Sequence, residues 1–342
     1  MKRSCYLDNV CWLLILHMIY TCHIASACGA PRPILITQIN TTLSFFMAWF
    51  FFKGGMMHKK QPQKELMKKS AKRLLVPYAI FLLLGLLLDS IIKFTTNDHL
   101  TIMAFLKSEA IHFLYTAEVS PVAASWFLLS LFVVRLVFNK FCSLVRPIYI
   151  FIFFVSVAFG LSIIQRWGLT KEISVMGYSI HILIPHYLGN ICHGLALYSL
   201  GYYLREKQFN RVLFISALVL FVLRFIIPAG IDFRANTPFP SSNLTYILAV
   251  IYEVAGCIVI NNIFKRFIDV KIPFITYIGS NSMVYYLVHY PVMYITKSLF
   301  TSIMNFDWWI RFFILSCVVT VFLIIAEWLF RNKRLKFVIG AS

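Results

Sequence analysis

Ten mainly apolar stretches, each 17 to 27 residues long, recur along this chain of 342 residues. They fall at about 5–27, 36–57, 74–94, 125–141, 148–165, 183–204, 212–228, 244–264, 274–300 and 308–330. Roughly 20 apolar residues in a helix cross the hydrocarbon core of a bilayer. Backbone groups in lipid must also satisfy one another, which leaves helices or closed barrels. The expected fold class is therefore all-α: a polytopic integral membrane protein with about ten transmembrane helices. Composition agrees, with 60% hydrophobic and 13% charged residues, against about 45–50% and about 25% in soluble domains. A cytosolic globular enzyme is excluded. The 33 Phe and 17 Tyr suit lipid-facing and interfacial positions.

The formal net charge of +19, from 32 Lys and Arg against 13 Asp and Glu, admits two readings. In a soluble protein it would point to nucleic acid; in a membrane protein it is the positive-inside bias. Position decides between them. With a cytoplasmic N-terminus, alternate loops and their flanks hold 23 of the 32 basic residues, including the eight from Lys53 to Arg73. The other side keeps nine: Arg32, Lys93, Lys107, Arg166, Lys171, Arg224, Arg234, Lys297 and Arg311. After subtracting acidic residues the inner side carries +18 and the outer side +1. The N- and C-termini are thus expected to be cytoplasmic, with the lipid bilayer as a partner and no nucleic acid. No repeat or linker interrupts the pattern, so residues 1–342 read as a single transmembrane domain. Lys2-Arg3, the apolar run and Ala25-Ser26-Ala27-Cys28 also fit a lipoprotein-like signal peptide. Asp8, Asn9 and His17 within that run favour an uncleaved first helix.

Eight cysteines form no CxxC pair and lie mostly in apolar stretches, where Cys behaves as a small hydrophobe. Neither a disulfide framework nor a structural zinc site is expected. Ionisable residues inside spans are costly and become candidate functional residues. His17 stands in the middle of the first stretch, within Leu13-Leu14-Ile15-Leu16-His17-Met18. An imidazole there can take a hydroxyl proton and return it near neutral pH. His186 and His193 stand seven apart on the sixth stretch and read as packing or cavity-lining residues. Glu253, central in the eighth, has a basic residue of another span as its expected partner. His289 follows Ser282 by seven residues on one helical face. Asp89 and Lys93 are i,i+4 partners for a local ion pair. No carboxylate at helical spacing completes a metal set, so no metal is expected. Asp8 lies nine residues before His17, on the opposite face and about 13.5 Å along the axis. Its expected place is the cytoplasmic interface.

Five segments in order resemble one family, the bacterial membrane-bound acyltransferases called acyltransferase family 3. The first is Tyr6-Leu7-Asp8 with the apolar run to His17. The second is Phe45-Phe46-Met47-Ala48-Trp49-Phe50-Phe51-Phe52-Lys53-Gly54-Gly55, with Ala48 where the family has Pro. The third is Lys68-Lys69-Ser70-Ala71-Lys72-Arg73-Leu74-Leu75-Val76-Pro77-Tyr78, and the fourth is Ser125-Trp126-Phe127-Leu128. The fifth runs from Tyr277-Ile278-Gly279 through Ser282, Tyr285 and Tyr286 to His289-Tyr290-Pro291. Together they span nearly the whole chain. Tyr6 stands where many members carry an Arg, and Lys69, Lys72 and Arg73 stand for the double-Arg motif of some.

The resemblance implies O-acyl transfer, usually of acetyl, from cytoplasmic acyl-CoA to a hydroxyl of a cell-surface glycan or lipid-linked saccharide. The chain would then lie in the bacterial inner (cytoplasmic) membrane. Acetyl-CoA would be a co-substrate, with no tightly bound cofactor. His17 would be the general base or a transient acyl carrier. Ser282 and His289 would complete the catalytic set, with Tyr286, as oxyanion donors. Lys69, Lys72 and Arg73 would attract the CoA phosphates, although topology signal and anionic-lipid contact explain them equally. Asp8, Trp126, Tyr286 and Glu253 would line the substrate site. Two other readings stand beside this one. One is a transporter or flippase for a lipid-linked glycan or anionic metabolite. The other is an inactive family member acting as an assembly partner.

Overall fold

The computed structural model describes residues 4–96, 101–168, 172–175, 178–181, 185–226, 243–299, 306–332 and 334–340. Lys2, Arg3, Lys171, Arg234 and Lys333, and the side chains of Arg166 and His186, lie outside the described residues. The chain forms two compact units. The first comprises residues 1–42, 68–129 and 270–342, and the second residues 43–67 and 130–269.

Each of the ten apolar stretches is mainly helical where it is described, with turns interrupting or ending it at residues 43–45, 224–226 and 281. Among the described residues, six helices are long and apolar enough to cross a membrane: Cys5–Ala27, Ile34–Met56, Gln63–Thr96, Pro147–Ile164, Thr245–Phe267 and Trp308–Phe330. The helices Trp126–Phe141 and Arg211–Leu223 have 16 and 13 residues, short of the roughly 20 a perpendicular crossing needs. The expected stretch 274–300 is two helices, Pro273–Ser280 and Ser282–Leu299, broken at Asn281. Proline at the first helical position starts the former, since its missing N–H costs nothing there. One feature departs from the all-helical expectation: Glu172–Val175 pairs antiparallel with Tyr178–His181. Ile173, Val175, Tyr178 and Ile180 in that hairpin are of the β-branched and aromatic types that favour strands.

In the first unit, the opening helix changes type along its length. It is α-helical over Cys5–Leu16 and π-helical over His17–Ile24, then closes with three α-helical residues. Its beginning packs on Pro273–Ser280: Asn9 Nδ2 donates to the Val270 carbonyl (3.1 Å), and Thr276 Oγ1 donates to Asn9 Oδ1 (2.9 Å). At its far end, Trp308 Nε1 donates to the Gly29 carbonyl (3.1 Å), joining the start of the last helix to the turn. Asp89 and Lys93 form the expected pair, 2.7 Å apart, and Lys93 also reaches Glu109 at 2.8 Å. Tyr294 donates to Asp89 Oδ1 at 2.6 Å. One ammonium and one phenol thereby reach two buried carboxylates and tie three helices together, while Glu109 Oε2 stays without a hydrogen-bond partner.

In the second unit, helix Phe46–Met56 packs on helix His186–Leu204 backbone to backbone. A Cβ at Gly55 would lie 1.9 Å from the Tyr198 carbonyl oxygen, and one at Gly201 2.1 Å from that of Phe52. Only glycine permits this approach, the small-residue packing common where helices meet in lipid. A polar chain closes one end of the unit: Trp49 Nε1 donates to Asn261 Oδ1 (2.8 Å), and Asn261 Nδ2 donates to Gln208 Oε1 (2.9 Å). Beside it His58 Nδ1 meets the Tyr198 hydroxyl at 2.8 Å.

Candidate active site

The π-helical turn is where the first unit concentrates its chemistry. A π turn inserts a residue into the helical repeat and frees carbonyls from the regular ladder, and such turns cluster at functional sites. Three neighbours hold this one. Asn40 Nδ2 donates to the Thr21 carbonyl (2.8 Å). Thr320 gives its proton to the Ser316 carbonyl (2.6 Å), so the Tyr20 hydroxyl is the donor in their 2.7 Å contact. The third is His289, whose Nε2 lies 2.7 Å from Nδ1 of His23, with the two rings within 5° of parallel.

The protons in this histidine pair are fixed by an acceptor that cannot donate. His289 Nδ1 lies 3.0 Å from the Tyr285 carbonyl oxygen, so Nδ1 carries the hydrogen. In the neutral ring Nε2 then holds a lone pair and accepts from His23 Nδ1–H. His23 is left with a bare Nε2 that has no partner among the described residues. A base oriented by a second group, itself oriented by a third, is the logic of a catalytic triad. The Tyr290 ring stands edge-on to His23, with centroids 5.2 Å apart and planes at 82°. Pro291 lies inside the helix that carries His289 and Tyr290. It denies a hydrogen bond to the carbonyl one turn earlier.

His23 opens on a cavity of about 600 Å³ in the first unit, within the roughly 300–1,000 Å³ usual for small-molecule sites. Its other polar walls are Ser26, His112, Glu118, Tyr290, Tyr294, Lys297 and Ser298. Glu118 lies outside the spans, in the segment between helices Ile102–Thr116 and Trp126–Phe141. Burial without a compensating cation pushes its carboxyl up to about 9, so it carries a proton at neutral pH.

The residues expected from sequence fall in several places. His289 backs His23. His17 is buried a turn earlier, and its Nδ1 meets the Thr21 hydroxyl. Thr21 donates to the His17 carbonyl (2.8 Å), so it accepts from the ring. Cys22 Sγ lies 3.3 Å from His17 Nε2 and 2.8 Å from Asn40 Oδ1. His17 thus braces the π turn and is not among the cavity's walls. Ser282 opens its helix, seven residues and about 10.5 Å along the axis from His289, and it too lies off the cavity. Tyr286 is buried and donates its hydroxyl proton to the Ala124 carbonyl, so that proton is committed to the fold. Its ring also meets Phe127 edge-on at 5.7 Å. Trp126, half-buried, begins the helix beside Phe127. Asp8 is buried in the first turn of the opening helix. Lys69, Lys72 and Arg73 are exposed around the π turn Ala71–Leu75. Glu253 belongs to the second unit, where its Oε2 meets His193 Nε2 at 2.7 Å, the cross-helix partner expected for it. His193 Nδ1 in turn lies 3.3 Å from the Tyr246 hydroxyl. His23 and Glu118 were absent from the expected set.

This histidine-backed cavity is set among apolar membrane-length helices. Residues 6–328 match the acyltransferase domain of acyltransferase family 3, and the chain belongs to that family. It is accordingly a multi-pass membrane acyltransferase. None of the curated proteins and none of the solved structures matches the chain.

Proposed function

We propose that this acyltransferase moves an acyl group, acetyl in the usual case, from acyl-CoA to a hydroxyl of a cell-surface or lipid-linked carbohydrate. The observation that carries this reading is that His23, which lines the cavity, is backed by His289 and keeps an Nε2 with no partner among the described residues. The acceptor hydroxyl gives its proton to His23 Nε2 as its oxygen attacks the thioester carbonyl carbon. The tetrahedral intermediate collapses, the C–S bond breaks, and the leaving thiolate takes the proton back from His23. General-base catalysis of this kind contributes about 10²–10⁴-fold. His17 holds the shape of the π turn, and this reading assigns the base role to His23. Lys69, Lys72 and Arg73 attract the phosphates of the donor.

The reading also places the chain in the cytoplasmic membrane of a bacterium, with ten spans and both termini inside. The charge bias supports this: the basic trio then faces the cytoplasm, where acyl-CoA is found, and the cavity lies towards the other end of the opening helix. The test uses membranes carrying the full chain, labelled acetyl-CoA and glycan from the native cell. The native chain transfers label, His23→Ala does not, and His17→Ala keeps more activity than His23→Ala. Full transfer by a well-expressed His23→Ala protein removes the mechanism. Glycan flux across vesicles without label transfer would instead support the transporter reading.

A further inference from the structure

Glu118 is held in the cavity wall by more structure than a connecting segment needs. Helix Ile102–Thr116 ends at Ala117, whose φ of 59° is left-handed and whose N–H returns to the Phe113 carbonyl. That turn redirects the chain at the residue before Glu118. Two tyrosine hydroxyls fix the segment at its ends: Tyr78 donates to the Ala117 carbonyl (2.8 Å), and Tyr286 donates to the Ala124 carbonyl. Its middle sits on helix Gln63–Thr96 at Gly85, where an added Cβ would lie 2.8 Å from both Val119 Cγ2 and Val122 Cγ2. The Glu118 carboxyl so positioned has a buried Oε2 with no hydrogen-bond partner. An unpaired buried oxygen is costly, by about 1–3 kcal/mol or more, and more so when charged, which favours the protonated carboxyl over the carboxylate.

We propose that the Glu118 carboxylic acid donates a hydrogen bond to the acyl oxygen in the transition state, from the wall of the cavity that His23 also lines. This role rests on the acyl-transfer reading above. As the acceptor oxygen attacks, the carbonyl electron pair moves onto the acyl oxygen and the Glu118 O–H bond shortens its contact to it. When the pair returns and the C–S bond breaks, Glu118 still holds its proton and is unchanged over the cycle. A carboxylic acid kept neutral by its surroundings can act as such a donor. Donors fixed in advance at the developing charge stabilise a transition state far more than ones that must be ordered. Lys297 lines the cavity but is exposed, and no ion pair joins it to Glu118 among the described residues. Glu118 is the more rigidly held group. Its elevated ionisation range supports the proposal, because a carboxylate could not donate.

The experiment uses the full chain in lipid nanodiscs, with acetyl-CoA and native glycan. Glu118→Ala lowers kcat by about 10²–10³-fold with little change in KM for acetyl-CoA. Glu118→Gln keeps an N–H donor of similar shape and stays within about tenfold of the native chain. The native kcat falls as pH rises through about 9, whereas that of Glu118→Gln does not. His23, His112, Tyr78, Tyr286, Tyr290, Tyr294 and Lys297 also face the cavity or this segment. They are common to both proteins, so the difference between the two profiles reports Glu118. A second readout needs no activity: the native chain shows a carboxylic acid C=O infrared band at pH 7 that is missing in Glu118→Gln. Full activity in Glu118→Ala, equal losses in the Gln and Ala variants, or absence of that band overturns the proposal. Presence of the band without any transfer by the native chain overturns the acyl-transfer reading instead, and the proposed role with it.

Discussion

His23 Nδ1 lies 2.7 Å from His289 Nε2, joining residues 266 positions apart into one hydrogen-bonded pair of coplanar rings. The pair works only in one tautomeric order. The Tyr285 carbonyl forces a proton onto His289 Nδ1, and this sends the lone pair of the assembly to His23 Nε2. Replacing His289 therefore changes which nitrogen of His23 carries the proton, without touching substrate.

That order makes a kinetic signature. His23→Ala and His289→Ala are each expected to lower kcat by about 10²–10⁴-fold, with KM for acyl-CoA nearly constant. The double variant should lose hardly more than the worse single variant, since residues that act as a unit are not additive. His289→Gln provides a carboxamide oxygen as an acceptor and is expected to recover part of the loss. Initial rates of label transfer from the native chain and the four variants in nanodiscs make the measurement. Additive losses would mean that the two rings act independently.

Gly85 tests how the cavity wall is seated. Leucine there, on helix Gln63–Thr96, meets the Val119 and Val122 side chains of the segment from Ala117 to Ser125, which must shift to admit it. The expected cost is about 1–3 kcal/mol of stability, as for other overpacked sites, with a loss of activity larger than that destabilisation explains. Hydrogen exchange should show faster amide exchange confined to residues 117–125.

The protonated state of Glu118 has a consequence for stability. Its folded-state range is raised, to about 9, above the ordinary carboxylate value. Between those limits the folded chain holds a proton that the unfolded chain has lost, so stability falls as pH rises across that window. Glutamine removes the dependence. The melting temperature of Glu118→Gln should match that of the native chain near pH 4. It should then exceed the native value by a widening margin up to about pH 9. A constant margin across that range would show that Glu118 ionises normally in the folded protein.

Much of the architecture was legible because lipid imposes a length on apolar runs, and all ten runs are mainly helical where described. His289 was legible for the same reason: an ionisable group in an apolar helix is conspicuous. Asp89 with Lys93 followed from helical spacing alone. His23 was not legible. It sits at the polar end of the first stretch beside Ser26, and six residues on a regular α-helix put it about 240° from His17. Only the π turn, which no spacing rule announces, and a partner from far along the chain give it a role. Glu118 was hidden differently. Its segment has no periodicity, and its placement depends on Tyr78, Gly85 and Tyr286, which come from two other helices. The break at Asn281 was signalled by Gly279-Ser280-Asn281-Ser282, a run of turn-forming residues, but that run is short and apolar residues resume on both sides.

Glu253 and His193 allow a test within the second unit. Both are buried, and their 2.7 Å contact leaves the imidazole's other nitrogen to the Tyr246 hydroxyl. Glu253→Ala strips a buried partner and is expected to lower the melting temperature, while the properly folded fraction keeps the native KM for the acceptor. Hydrogen bonds between helices in lipid average about 0.6 kcal/mol and reach about 1.7. The double variant with His193→Ala should therefore recover an amount in that range relative to additivity. A raised KM for acceptor at unchanged stability would instead make Glu253 a substrate ligand.

Lys69, Lys72 and Arg73 stand exposed near one end of helix Gln63–Thr96, and Gly85, beneath the cavity wall, comes sixteen residues after Lys69. At about 1.5 Å per residue that is roughly 24 Å along the axis. Groups so far from the reacting atoms can act only on the remote part of a donor, and exposed charges act through a screened field. Changing all three to glutamine is thus expected to raise KM for acyl-CoA about tenfold or more while kcat is kept, the pattern of lost uniform binding. The native KM should rise steeply with ionic strength, and that of the triple variant only weakly. Acceptor KM should stay the same, since the acceptor meets the other end of the unit. A fall in kcat at saturating donor would show that the trio takes part in the chemical step. Unchanged donor KM, together with loss of the chain from the membrane, would show that these residues serve only topology.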